Sequence, residues 1–174
     1  MVEVYIGSGK GKTTACLGLA LRASGWGKKV YIAQFLKDSN IRSGEVQALK
    51  KVKSIKIERF FDQVHPMFLR KDSFDKNKTM ISVNNSLEKL RGYIIDKKYD
   101  IFILDEILNV LSMKLVSSKI IEELINISDE KVELVFTGRK CPQRILAKAD
   151  YVSLIDEVKH PYSKGVLARE GIEY

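Results

Sequence analysis

Eight residues near the start of the chain, Gly7-Ser8-Gly9-Lys10-Gly11-Lys12-Thr13-Thr14, combine glycines, lysines and hydroxyls in the order that a phosphate loop needs. Glycines let successive backbone N–H groups turn inward around phosphate oxygens, and a helix beginning at the loop's end adds positive partial charge. Lys12 supplies a compact cation, Lys10 is a second candidate for the phosphates, and the Thr13 hydroxyl can ligate magnesium. The bland alternative is a flexible glycine turn. One departure from the usual spacing stands out: the position that would carry the first glycine is Ile6, so the loop is one residue short and has one amide fewer to wrap a triphosphate.

A magnesium site beside such a loop requires an acidic residue at the end of a second strand. Asp105 and Glu106, directly after the apolar run Ile101–Leu104, supply hard carboxylate oxygens for a hard cation. Either residue could be the direct ligand, with the other acting through water or as a base. Thr137-Gly138-Arg139 follows another apolar run, and the Arg139 guanidinium could bind phosphate oxygens bidentately. His65 and His160 have no partner at metal-ligand spacing.

The elements that must hold these residues can be read from hydrophobic periodicity. Val2–Ile6 reads as a strand stopping at Gly7, Thr13–Ala23 as a helix, and Lys29–Phe35 as a second strand preceded by the turn glycines Gly25 and Gly27. Ser54–Phe60 alternates as a third strand, and the stretch from Phe61 to Asp75 reads as a long irregular loop. Apolar residues at Met80, Val83, Leu87, Leu90 and Ile94 predict an amphipathic helix over Lys76–Asp96. Strands at Ile101–Leu104, Val132–Phe136 and near Tyr151–Ile155 follow, with a helix at Ile120–Ile127 between the first two. This alternation predicts an α/β fold with a mostly parallel sheet, helices on both faces, and ligands at the carboxyl ends of the strands.

The 174 residues, 45% hydrophobic and 30% charged, suit one domain spanning residues 1–174. No run approaches the length of a membrane span and no signal-peptide pattern opens the chain, so a cytoplasmic location is expected. Two cysteines, Cys16 and Cys141, are too few for a disulfide framework, and Cys16 is expected to pack as a small hydrophobe on a helix. The net charge of +8 favours anionic partners without choosing among them. The densest basic stretch, Lys50, Lys51, Lys53, Lys56 and Arg59, reads as a solvated face, with a nucleic-acid surface as the alternative.

These residues resemble the ATP:corrinoid adenosyltransferases of the cobalamin-biosynthetic P-loop (BtuR/CobA-like) type, within the RecA-like class of P-loop NTPase folds. The resemblance rests on Tyr5 through Thr14, Leu17 through Ala23, Gly27 through Val30, Gln34-Phe35-Leu36-Lys37 and Leu104-Asp105-Glu106. It continues in Glu133 through Arg139, Glu157 through Tyr162 and Ala168 through Tyr174, and is weak between about Lys50 and Asp96. The short loop is itself a trait of that family, in which the triphosphate lies in reversed sense and leaves as a unit. The resemblance implies attack by a cob(I) nucleophile on the 5′-carbon of ATP, with Lys12, Thr13 and Glu106 as catalytic residues. Gly7 through Thr14 and Arg139 would bind the nucleotide, and Thr13, Asp105 and Glu106 would hold magnesium. It also implies a reduced corrinoid as cosubstrate, a flavodoxin-type or flavin electron donor and a homodimer.

Relatives use aromatic residues after the third strand to displace the corrinoid's lower ligand. Here Phe60, Phe61 and Phe68 are the candidates, and the tryptophan of the best-known members is missing. The chain also starts directly on its first strand, without the extension that longer relatives use to help cap the site. Two other readings compete: a phosphoryl-transferring P-loop kinase or ATPase, and a RecA-like nucleic-acid-binding ATPase suggested by the positive charge.

Overall fold

The computed structural model describes residues 1–37, 42–60 and 75–172. Six strands form a single sheet: β1 (Val2–Ile6), β2 (Val30–Gln34), β3 (Ile55–Arg59), β4 (Ile101–Asp105), β5 (Glu133–Thr137) and β6 (Tyr151–Leu154). Their spatial order is β3-β2-β4-β5-β1-β6, and every neighbouring pair is parallel. The expected strands are all present, each within two residues of its expected bounds.

β2 and β4 are buried at every position, as strands covered on both faces must be, and this is why their sequences are nearly continuous apolar runs. The two faces carry separate apolar clusters. One contains Val30, Ile32, Ile55, Ile57, Ile101 and Ile103 with Cys16, Leu17 and Ala20 of α1 (Lys12–Gly25) and Leu49 of α2 (Gly44–Leu49). The other packs Tyr31, Phe102, Leu104 and Phe136 beneath α3 (Lys76–Ile95), α4 (Ile107–Ser112), α5 (Ser118–Ile127) and α6 (Gln143–Leu146).

Local signals account for the longer helices. α3 begins where the Asp75 carboxylate accepts the Lys78 backbone N–H at 3.0 Å, and it buries Val83, Leu87, Leu90 and Ile94 at the spacing of one helical face. Each such buried side chain contributes about 1.5–3 kcal/mol relative to exposure. α1 stops at Gly25, after which Gly27 takes a φ of +74° in the turn to β2. Cys16 is fully buried on α1, as expected of a small hydrophobe. The short helices α2, α4 and α6, of six, six and four residues, have no counterpart in the periodicity reading. The expected loop at Phe61–Asp75 lies outside the described residues except for Asp75.

Among the described residues, no helix is long and apolar enough to cross a membrane.

Candidate nucleotide and metal site

The loop from Gly7 to Gly11 joins β1 to α1 at the carboxyl edge of the sheet, and the last strand supports it from behind. Gly9 N–H donates to the Ile155 carbonyl at 2.9 Å, Ser8 N–H donates to the Asp156 carboxylate at 2.8 Å, and the Ser8 hydroxyl reaches the same oxygen at 3.1 Å. These hydrogen bonds hold the exposed Asp156 carboxyl below its ordinary value. A Cβ on Gly7 would lie 2.2 Å from the Ile155 carbonyl oxygen, and one on Gly9 would lie 2.6 Å from the Asp156 carbonyl carbon. Gly7 also has φ +124°, so it serves as the loop's first glycine, one position later than the usual pattern and with Ile6 left in the strand.

Lys12 opens α1, is nearly fully buried, and folds back to donate to the Gly9 carbonyl at 2.7 Å. Burial lowers its pKa, and the nearby Glu106 carboxylate offsets part of that effect. Thr13 follows, and its hydroxyl donates to both oxygens of Asp105, at 3.0 and 3.1 Å, across 92 residues of sequence. Lys10 on the loop and Thr14 in the first turn of α1 are exposed and line the same cleft.

Asp105 is fully buried at the end of β4 and accepts from four other elements or loops. Besides Thr13, these are the Thr137 hydroxyl at 2.7 Å, the Gln34 amide at 3.1 Å and the Lys37 ammonium at 2.9 Å. Burial alone would raise its pKa, but Lys37 and the hydroxyl donors outweigh it, so the carboxyl sits below its ordinary value and stays ionised. Lys37 also donates to Thr13 at 3.2 Å. It is aimed inward by Leu36, whose φ of +55° turns the chain sharply after β2.

Glu106 lies in the left-handed region at φ +68°, its N–H held by the Thr137 hydroxyl at 2.8 Å and its carboxylate by the Asn109 amide. Such a conformation in a non-glycine residue is a strained feature of the kind concentrated at functional sites. Burial and the adjacent Asp105 push the Glu106 pKa up. Arg139 is exposed, yet its backbone is fixed beside the loop: its N–H donates to Asn109 at 2.8 Å and its carbonyl accepts from Gly7 at 3.2 Å. Gly138 is required there, because a Cβ would meet Leu108 at 2.5 Å.

In front of these groups lies a cleft of about 680 Å³, lined by Gly9 through Thr14, Lys37 and Glu106, with Leu17, Gly18 and Leu21 of α1 and Gly44, Glu45, Ala48 and Leu49 of α2. Gly171 and Ile172 also line it. The fold thus brings the loop, Asp105, Glu106 and Arg139 to one edge of the sheet, as a parallel α/β architecture predicts for ligand sites.

The sequence model of the family described as "ATP:corrinoid adenosyltransferase BtuR/CobO/CobP" matches residues 1–174. The chain belongs to that ATP:corrinoid adenosyltransferase family. It is 30% identical over its whole length to the corrinoid adenosyltransferase of Escherichia coli K12, covering 85% of that protein. It is 29% identical, again end to end and over 85% of the relative, to the corrinoid adenosyltransferase CobA of Salmonella typhimurium LT2. The corrinoid adenosyltransferase of a Sinorhizobium species is 26% identical, with all of this chain and 80% of the relative aligned. Among solved structures, a KaiC-like protein from the hyperthermophilic archaeon Pyrococcus horikoshii superposes with a TM-score of 0.55 at 16% identity, covering 91% of this chain and 74% of that one. That likeness shows a P-loop NTPase-like fold. Membership of the adenosyltransferase family makes the chain a transferase that uses ATP and a corrinoid, and it disfavours the kinase and nucleic-acid readings.

The candidate site contains residues that sequence reasoning did not select. Gln34 and Lys37 were visible only as parts of a matching segment, while Asn109 and Asp156 carried no signal at all. Arg59 is a correction. Lys50, Lys51, Lys53 and Lys56 are exposed as expected, but the Arg59 side chain is only 9% exposed and donates to Gln34 at 3.0 Å. It ends β3 on the face that the alternation of Ile55 and Ile57 makes internal. Of the aromatic candidates, Phe60 packs against Phe35 at a ring separation of 5.8 Å, and Phe61 and Phe68 lie outside the described residues, as does His65. His160 is half-buried beyond β6.

Proposed function

We propose that the cleft binds ATP with magnesium and that the chain transfers its 5′-deoxyadenosyl group to the Co(I) centre of a corrinoid, cob(I)alamin or cob(I)yrinic acid a,c-diamide, releasing triphosphate. The observation that carries this reading is the contact between the Thr13 hydroxyl and Asp105 behind a phosphate loop that shares its cleft with Glu106.

The donor set fits magnesium. Thr13, Asp105 and Glu106 offer only hard oxygens, and among the described residues no group of three or more His, Cys, Asp or Glu could hold a metal unaided. A site in which phosphates and water complete the shell is the one magnesium prefers. Bound there, magnesium supplies a Lewis acid to phosphate oxygens.

The protein's own groups then have defined tasks. The Gly7, Ser8 and Gly9 amides brace the loop against Arg139, Asp156 and Ile155, so the amides from Lys10 to Thr14, with the side chains of Lys12, Lys10 and Arg139, grip the triphosphate. As the electron pair of Co(I) forms the cobalt–carbon bond, the C5′–O bond breaks and its pair leaves with triphosphate. The charge growing on that leaving group is met by Lys12 and the fixed amides, which need no reorganisation. No general base is required, because the attacking cobalt carries no proton. Glu106 and Thr13 would hold the magnesium, and the buried Asp105 fixes the Thr13 hydroxyl.

We further read residues 1–174 as one domain acting in the cytoplasm as a homodimer, with a flavodoxin-type or flavin donor reducing the corrinoid. Purified protein mixed with ATP, magnesium and chemically reduced cob(I)alamin is expected to change the visible absorbance to that of an alkylcorrinoid, with one triphosphate released per turnover. Rapid formation of ADP and phosphate without a corrinoid would overturn the reading.

A further inference from the structure

One polar row crosses four adjacent strands at their carboxyl ends. Gln34 of β2 is the register partner of Arg59 in β3 and of Asp105 in β4, and Thr137 at the end of β5 bonds to Asp105 from the other side. Because strand side chains alternate, all four share the face covered by α1 and α2. Gln34 and Asp105 are fully buried.

The row has a direction. Arg59 Nε donates to Gln34 Oε1 at 3.0 Å, which leaves the Gln34 amide NH2 to donate to Asp105 at 3.1 Å. An amide whose oxygen is engaged by a guanidinium cannot flip without placing its NH2 against that cation. The other arm of Arg59 donates to the Ser43 hydroxyl and lies 3.8 Å from the Glu45 carboxylate. Ser43 occupies the N-terminal boundary position of α2 and Glu45 lies in its first turn, on the helix that walls the nucleotide cleft. One planar, forked cation therefore ties the cleft wall to the carboxylate beneath Thr13, a task a lysine's single ammonium cannot reproduce.

We propose that Arg59 and Gln34 are positioning residues that couple the α2 wall of the nucleotide cleft to the Asp105 carboxylate, so that nucleotide held against α2 and metal bound near Asp105 strengthen each other. The inference rests on the magnesium–ATP reading of the cleft. Asp105 can orient Thr13 only while its remaining lone pairs are held, and the Gln34 amide that holds one of them is itself held by the arginine that anchors the wall. Disturbing the wall then loosens the metal site without removing any metal-binding oxygen.

The test is calorimetric titration of ATP into the wild-type protein, Arg59→Lys and Glu45→Gln over a series of magnesium concentrations, alongside steady-state adenosylation. Arg59→Lys keeps the charge and Glu45→Gln keeps the shape, and circular dichroism and thermal melts establish that each variant is folded. The magnesium concentration giving half-maximal ATP affinity is expected to rise about tenfold in Arg59→Lys and about threefold in Glu45→Gln. At saturating ATP and magnesium, kcat should stay within about twofold of wild type while KM for ATP rises, a split that general destabilisation does not produce. Folded variants that bind ATP as wild type does at every magnesium concentration would overturn the coupling. A wild-type protein that binds no ATP with magnesium would instead defeat the nucleotide reading on which it rests.

Discussion

Glu58 and Arg59 are neighbours in β3, and the pleat sends them to opposite faces of the sheet, where each enters a charged network of a different kind. Arg59 joins the row that runs to Asp105 and Thr137, in which Gln34, Asp105 and Thr137 are fully buried, and its partners come from the sheet and from α2. Glu58 faces α3. It accepts the Lys89 ammonium at 2.6 Å and the Tyr31 hydroxyl at 2.7 Å, with Lys56 at 3.4 Å, and its own side chain is 20% exposed. Lys89 lies above the rings of Phe60 and Tyr93, and Tyr31, Tyr93, Tyr99 and Phe102 pack with ring separations of 5.2 to 6.1 Å. Both carboxylates have pKa values held below the ordinary range against the opposing effect of burial. The Glu58 network pins a helix to the sheet, whereas the Asp105 network has one side open to a cleft through Thr13 and Lys37. A perturbed carboxylate thus signals a ligand site only when its partners face space that a ligand can enter.

That contrast can be broken in order of expected effect. Lys12→Ala removes the buried cation of the loop, and kcat/KM for adenosyl transfer is expected to fall about 10²–10³-fold, the scale seen for losing one fixed donor to developing charge. Steady-state assay with reduced corrinoid measures it. Asp105→Asn keeps the shape but replaces two acceptor oxygens with one, and magnesium affinity in the presence of ATP should weaken about 10–100-fold. A metal titration followed by ATP binding checks this.

Glu106→Gln separates function from stability. Its folded pKa is raised, so the protonated form is the one that the fold favours, and the stability it contributes is lost as pH rises through that value. At neutral pH the ligand-free Gln variant is therefore expected to melt about 2 °C higher than wild type, while its adenosylation rate falls. In the wild type, kcat/KM for ATP, which reports the ligand-free enzyme, should decline on acidification at a higher pH than an ordinary glutamate would give. Asp105 has the opposite sign. Its pKa is depressed, so its stabilising contribution is present above the unfolded-state value and is lost as pH falls through the folded one.

The smallest effect is expected at Glu58→Gln. It should cost about 1 kcal/mol in denaturant unfolding, since the Lys89 partner is 41% exposed and partly screened, and it should leave KM for ATP unchanged. A change in KM there would erase the distinction between the two networks.

What could be read from the sequence follows the same division. The phosphate loop was legible because its chemistry lies in consecutive residues, and Asp105 and Glu106 were legible because a buried strand ending in two carboxylates is a local pattern. Gln34 and Lys37 acquire their roles from contacts 71 and 24 residues away. Strand order and register decide those contacts, and neither is written in local periodicity. Arg59 was misread because a run of basic residues hid the alternation that turns its last member inward. α2, α4 and α6 are too short for a helical repeat to show, yet the first two carry Glu45 and Asn109 to the cleft and to Arg139.

The bonds from Gly9 to Ile155 and from Ser8 to Asp156 join the beginning of the chain to a point nearly 150 residues later. During vectorial synthesis the first strand leaves the ribosome long before the segment that braces its loop, and β5, which pairs with it, also arrives late. The phosphate cradle is therefore among the last parts to be completed. Nucleotide cannot guide the early steps of folding and can only reward a chain that has already been finished.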